Sequence, residues 1–215
     1  MKFSIGILVF FMMGWAAGAW ATDTAAADWR LLPAKSSLVF IFGQAGTDEK
    51  GQFHSFPSQL KFGADALEQS GFDVKVDMKS VDTGDKDRDE ILLSKDMFDV
   101  KQWPQAHFKT FKIEKHGENE YQADAELTIR DQTRPLPFPF RLVISEEQGK
   151  QVFRLQSEVT FNRLDFGVGQ GEWKATTWIP DPVKVIVDIQ AERASVAAAP
   201  PDNPSSTQSS AAAVK

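Results

Sequence analysis

The chain has 215 residues, 30 acids against 24 bases, no cysteine, and 17 Phe beside a single Tyr. At 42% hydrophobic and 25% charged it is long enough to bury one sizeable core and too short to promise two, which excludes a disordered or fibrous chain. The absence of cysteine excludes a disulfide framework, a thiolate zinc site, a cysteine nucleophile, thiol-attached haem and acylation at an N-terminal cysteine.

At the start, Lys2 precedes an apolar run from Phe3 to Trp20, interrupted only by Ser4 and three glycines, which closes on Ala19-Trp20-Ala21. This pattern predicts a secretory signal over 1–21 with cleavage after Ala21. Ala25-Ala26-Ala27 is a competing cleavage site, and an uncleaved membrane anchor is the competing reading of the run itself. Cleavage leaves 23 bases against 30 acids. Such an acidic balance argues against nucleic acid as a partner. From Ser195 the composition turns to Ala, Pro and Ser without apolar periodicity, so 195–215 is predicted to be a disordered tail. About 167 residues, 28–194, remain for one folded domain, with no apolar stretch long enough to span a bilayer after the signal is removed.

Within that domain the periodicity is two. Leu38, Phe40 and Phe42 alternate with Val39 and Ile41; Leu60 and Phe62 flank Lys61; Val74, Val76 and Met78 interleave with charged residues. The alternation returns at Tyr121 to Ile129, through Leu127, and at Leu136, Phe138, Phe140, Leu142 and Ile144. It appears again at Phe153 and Leu155, and at Val183 to Ile189. Each run predicts a strand with one apolar face, and the short intervals between turn glycines predict an all-β sandwich or barrel of eight or nine strands. Lys86 to Lys95 breaks the pattern: Asp85 is a candidate N-cap ahead of an acidic first turn, predicting a short helix. Pro137 and Pro139 each remove a ladder donor from one face of their strand, predicting a free edge or a bulge there.

Several motifs suggest chemistry and fail on context. Val81-Asp82-Thr83-Gly84 matches half of an aspartic-protease pair, but one copy cannot supply two carboxylates. Asp85, Asp87 and Asp89 alternate as in a calcium loop, yet Glu90 stands where the loop needs Gly. Gly167, Gly169 and Gly171 precede no predicted helix, so they predict a tight bend and not a nucleotide loop. His54, His107 and His116 show no ligand spacing, and no catalytic grouping can be assembled.

The 14 Phe outside the export segment all lie within 40–166. They fit a well-filled β core. They fit equally a closed barrel whose lining is too apolar to be only structural, with room for one small ligand.

A resemblance tips this balance. Ser80 to Gly84, Arg88-Asp89, Leu92, Ser94 to Val100 and Trp103 to Phe108 together resemble the signature of the YceI family, lipocalin-like polyisoprenoid-binding proteins. Ser36 to Phe40, Gly51-Gln-Phe53, Leu127 to Arg130, Thr133-Arg-Pro135 and Asn162 to Gly167 extend the likeness across about 29–190. The resemblance implies an eight-stranded antiparallel lipocalin-like barrel in the periplasm, without enzyme activity or a catalytic cofactor. Its apolar cavity would hold an isoprenoid lipid or a quinone-like amphiphile. The inward face would carry Leu38, Phe40 and Phe42, and Val74, Val76 and Met78. From the remaining apolar faces we expect Phe62, Leu127, Phe138, Phe140, Leu155 and Phe161 in the lining. Arg88, Asp89 and Arg163 would either latch the helix to the wall or meet a pyrophosphate head. The chain departs from the family at Gln44 and Ile91, where relatives often carry His, and at Asp131, where a turn glycine is common. Self-association as a homodimer stays open, as does a second class of function, a closed-barrel interaction or stress module without a bound lipid.

Overall fold

The computed structural model describes residues 25–194; the expected signal, 1–21, and the expected tail, 195–215, lie outside the described residues. Twelve strand segments and one α-helix follow in order: β1 (Ala27–Leu31), β2 (Ser37–Gln44), β3 (Thr47–Phe53), β4 (Ser58–Phe62), β5 (Gly71–Asp77), β6 (Val81–Asp82), α1 (Lys86–Leu93), β7 (Gln105–Gly117), β8 (Glu120–Ile129), β9 (Gln132–Pro135), β10 (Phe138–Glu147), β11 (Lys150–Asn162) and β12 (Pro182–Arg193).

These segments make eight wall positions, because four strands are broken in the middle. β1 and β2 share one edge of β12, with Leu31 opposite Ala191 and Phe42 opposite Val183. Between them Pro33–Lys35 forms a 3-10 turn. β3 and β4 form the second wall, β5 and β6 the third, and β9 and β10 the sixth, each pair split by a short interruption. Pro33, Pro57 and Pro137 stand at three of the four breaks, where a residue without an N–H cannot continue the ladder. Every pairing is antiparallel, and β12 returning to β1 and β2 closes an up-and-down barrel. This is the expected eight-stranded barrel with one short helix.

Alternation places side chains as the pleat requires. Along β10, Phe138, Phe140 and Leu142 are buried while Pro139 and Arg141 are exposed. The β10–β11 ladder begins only at Arg141, so Pro139 sits on an unpaired stretch of that edge, as its missing donor predicts. β7 shows no uninterrupted alternation in the sequence, and a bulge explains why. Its partners jump from Thr110↔Ala125 to Lys112↔Asp124. Phe111 is thereby turned outward, 60% exposed, while Ile113 returns to the interior.

The two ends of the barrel differ. Three hairpin connections and both described termini gather at one end. There Trp29, Phe62, Phe72, Tyr121, Phe140 and Phe153 belong to a filled core. Phe62 meets the ring of Tyr121 edge-on at 5.2 Å, and Trp29 packs against Phe153 at 4.9 Å while donating Nε1–H to the Phe62 carbonyl. At the other end the wall opens at two seams, since β6 pairs only with β3 and β9 only with β8. α1 and the segment after it fill the first seam with Leu92, Met97, Phe98 and Val100. The β11–β12 connection brings Phe166 and Val168 into the same cluster.

Candidate functional site

Between the filled end and the seamed end lies a cavity of about 390 Å³, enclosed by strands from every wall of the barrel. Its floor is set by Leu60, Phe72, Phe108, Phe138 and Leu155, its middle by Phe40, Val76, Leu127, Val185 and Val187, and its mouth by Gln44, Arg88, Ile91 and Trp173. Phe40 is held in place by its ladder partner: a side chain on Gly51 would overlap the ring, so glycine there lets Phe40 lie across β3. Phe40 stacks at 5.8 Å on Phe42 and meets Phe53 at 5.3 Å, giving a ring-lined wall near the mouth. Nine of the 14 Phe beyond residue 21 line this space, and none carries a polar atom that would need a partner. A volume of this size falls in the range of ordinary small-ligand sites. It also counts against a barrel filled only by its own side chains.

Charged residues frame the mouth. The Asp85 carboxylate caps α1 by accepting from the N–H groups of Asp87 and Arg88 at 3.0 and 3.2 Å, as the sequence predicts. Asp89 accepts from both the amide and the hydroxyl of Thr83, which fixes the approach to the helix. Arg88 reaches over the ring of Phe42 and pairs with Glu49 at 3.1 Å, tying α1 to the β2–β3 hairpin. Arg163 is only 4% exposed and donates to three carbonyls, those of Val168, Ile179 and Pro180. Burial pulls its guanidinium below the usual arginine value, an effect opposed by the negative charge of Asp181. Arg130 donates to the carbonyls of Met97 and Gly167 and lies 4.7 Å from the ring centre of Trp103, so it joins three connections at this end. Of the two roles open to these cations in sequence, the geometry realises the latch: Arg88 holds the helix and Arg163 holds the β11–β12 connection.

Leu38, Phe40, Phe42, Val74, Val76, Met78, Leu127, Phe138, Leu155 and Phe161 all face the cavity. Met78 does so from a 3-10 turn, Met78–Ser80, and not from a strand. Phe62 and Phe140 are inward but lie elsewhere. Both are packed in the filled end, 1% and 4% exposed, because ring contacts with Phe72 and Tyr121 occupy the space that would otherwise continue the cavity. Phe108 and Ala106 line the wall from β7 and escape sequence reading because the bulge hides that strand's period. Phe56, Phe98 and Trp173 come from turns and connections, where no period exists to mark them; only the Phe count hints at the first two.

His54 pairs with Asp82 at 2.9 Å and His107 with Asp73 at 2.7 Å, both on the outer surface. Among the described residues no group of three or more His, Cys, Asp or Glu is placed to hold a metal ion. No helix among them is long and apolar enough to cross a membrane.

An eight-stranded meander closed on itself around an apolar cavity defines the lipocalin-like class of barrels. Within that class the chain belongs to the YceI-like domain family, whose match spans residues 29–191. It is similar to BcnA of Burkholderia cenocepacia, at 30% identity and a TM-score of 0.69, covering 75% of this chain and 99% of that one. The Campylobacter jejuni YceI protein shares the fold at a TM-score of 0.64 and 21% identity, covering 69% of this chain and 86% of that one. A polyisoprenoid-binding domain from Saccharophagus degradans shares it at 0.61 and 13%, covering 79% and 99%. A UPF0312 protein of Pectobacterium carotovorum is 28% identical over 55% of this chain and 62% of its own length. A UPF0312 protein of Vibrio cholerae, also 28% identical, matches over 40% and 46%. The chain thus spans less than two thirds of the curated relatives it matches.

Proposed function

We propose that this barrel holds the apolar tail of an isoprenoid lipid or quinone-like amphiphile for transport or storage in the periplasm. The observation that carries the reading is the cavity itself: about 390 Å³ of mainly Phe and aliphatic wall, closed at one end, with its charged residues and Gln44 gathered at the mouth. A tail transferred from water to such a wall gains roughly 25 cal/mol per Å² of apolar surface buried, enough to drive binding without a covalent step. The fold neighbour from Saccharophagus degradans, described as polyisoprenoid-binding, supports the ligand class. The apolar run and small-residue site in Met1 to Ala21 support export. No catalytic group is assigned: Asp85 caps the helix, Arg88 pairs with Glu49, and Arg163 gives its donors to backbone carbonyls.

Native mass spectrometry of protein purified from the periplasm, followed by solvent extraction, tests this. A co-purifying lipid that leaves on extraction is the expected result. Protein that repeatedly carries no lipid, and that takes up no isoprenoid quinone when offered it, would overturn the proposal.

A further inference from the structure

Resting on the lipid-holding reading, we propose that the ligand's head is uncharged and that Gln44 is the residue that hydrogen-bonds it. Gln44 ends β2 at the barrel mouth and lines the cavity. Its side-chain oxygen is buried and has no hydrogen-bond partner among the described residues. A buried amide left in that condition is unfavourable, and a ligand group that completes the bond removes the penalty. The two ends of an amide exchange by a half-turn of its last torsion. Gln44 therefore accepts from an alcohol or phenol, or donates to a quinone carbonyl. It lacks the positive charge and the two separated donor nitrogens with which an arginine holds a phosphate.

The charges around it point the same way. Four charged residues line the cavity: Asp85, Asp87, Arg88 and Arg163. Arg88 is neutralised by Glu49, and Arg163 gives Nε and both terminal nitrogens to backbone carbonyls. Against the remaining cation, Arg163, stand the carboxylates of Asp85 and Asp87, which leaves the lining one negative charge in excess. A helix N-terminus ordinarily attracts phosphate, but that of α1 is already filled by the carboxylate of Asp85, which takes the N–H groups of Asp87 and Arg88. Lys86, the cation next to this cap in sequence, is not part of the lining. A phosphate or carboxylate head entering here would meet like charge and no free donor pair, whereas a hydroxyl or carbonyl would meet Gln44.

Displacement of a fluorescent apolar probe from delipidated protein tests the proposal with three competitors: solanesol, solanesyl monophosphate and squalene, which has no head group. Solanesol is expected to bind about tenfold or more tightly than the monophosphate. Gln44→Leu is expected to weaken solanesol by about tenfold, the worth of one hydrogen bond, while squalene is unchanged. Asp87→Lys, which leaves the Asp85 cap in place, is expected to raise monophosphate binding several-fold without altering solanesol. Equal binding of alcohol and phosphate, or a Gln44→Leu effect as large on squalene as on solanesol, would overturn the head-group proposal while leaving the lipid reading intact. Failure of all three competitors, squalene included, would overturn both.

Discussion

The guanidinium of Arg163 fills the space that a side chain on Gly169 would need: a Cβ built there overlaps its terminal nitrogen and approaches the Trp173 carbonyl within 2.9 Å. Gly169 also has φ +96°, a conformation that L side chains rarely adopt. The bend predicted from the three glycines therefore has a specific purpose, which is to wrap the chain around a buried cation. Gly169→Ala is expected to cost about 2 kcal/mol or more, from backbone strain and displacement of the arginine together. Arg163→Ala is expected to cost about 3–5 kcal/mol, because it leaves the carbonyls of Val168, Ile179 and Pro180 without their donors. Urea unfolding of the delipidated protein checks both, and a double variant less destabilised than the sum of the two single changes would show that they share a contact.

What the sequence makes legible here follows from what repeats along it. Period-two alternation marks β2, β8, β10 and β12, and the Asp85 cap marks α1, because each depends on neighbours a few positions apart. β7 is hidden by a single inserted residue, Phe111, which reverses the phase halfway along. Alternation also says which face of a strand is inward but not how far along the barrel a residue sits. Phe138 and Phe140 look alike in sequence, yet the first faces the cavity and the second belongs to the filled end. The contacts of Arg163 run to carbonyls 5, 16 and 17 positions away, and no local pattern announces them.

Arg88 and Glu49 join α1 to the β2–β3 hairpin across a half-exposed ion pair. Arg88→Ala is expected to lower the apo melting temperature by about 2–4 °C, equivalent to about 1 kcal/mol in a domain of this size. Part of that loss is the contact with the Phe42 ring, 5.8 Å from the guanidinium carbon. Glu49→Gln is expected to give a smaller decrease, and adding it to Arg88→Ala no further one. Affinity for an uncharged isoprenoid alcohol should be unchanged by Arg88→Ala. A loss of such affinity at unaltered apo stability would assign Arg88 to the ligand instead of to the latch.

The two ends of the barrel respond differently to changes in volume. Val185 lies in the first half of β12, opposite Phe40, and borders the cavity. Val185→Trp is expected to fill empty space, weakening lipid uptake by tenfold or more while shifting the melting temperature by only a few degrees. Phe153→Ala, at a position 0% exposed in the filled end, is expected to cost about 3–5 kcal/mol. Lipid titration and thermal unfolding of both variants separate the wall that binds from the core that supports it. Equal losses of stability in the two would mean that no such division exists.

Asp188 on β12 accepts from Arg154 Nε at 2.8 Å and from a second guanidinium nitrogen, with Gln156 adding a third contact at 3.3 Å. Hydrogen bonding from Arg154, reinforced by its charge, holds this carboxyl below the usual 3.8. A carboxyl depressed in the folded state is ionised and paired at neutral pH. Its contribution to stability is complete above the unfolded value of 3.8 and is lost as pH falls through the lower folded value. The pair is half exposed on the arginine side, 52% against 26% for Asp188, so solvent screening limits its worth to about 1 kcal/mol or less. Asp188→Asn is therefore expected to melt slightly below the parent at neutral pH, with the gap constant down to about pH 4 and closing only below it. Melting curves of both proteins across that range measure the gap. One that closed by about pH 5, or that persisted in strong acid, would show that another group governs the acid sensitivity of this wall.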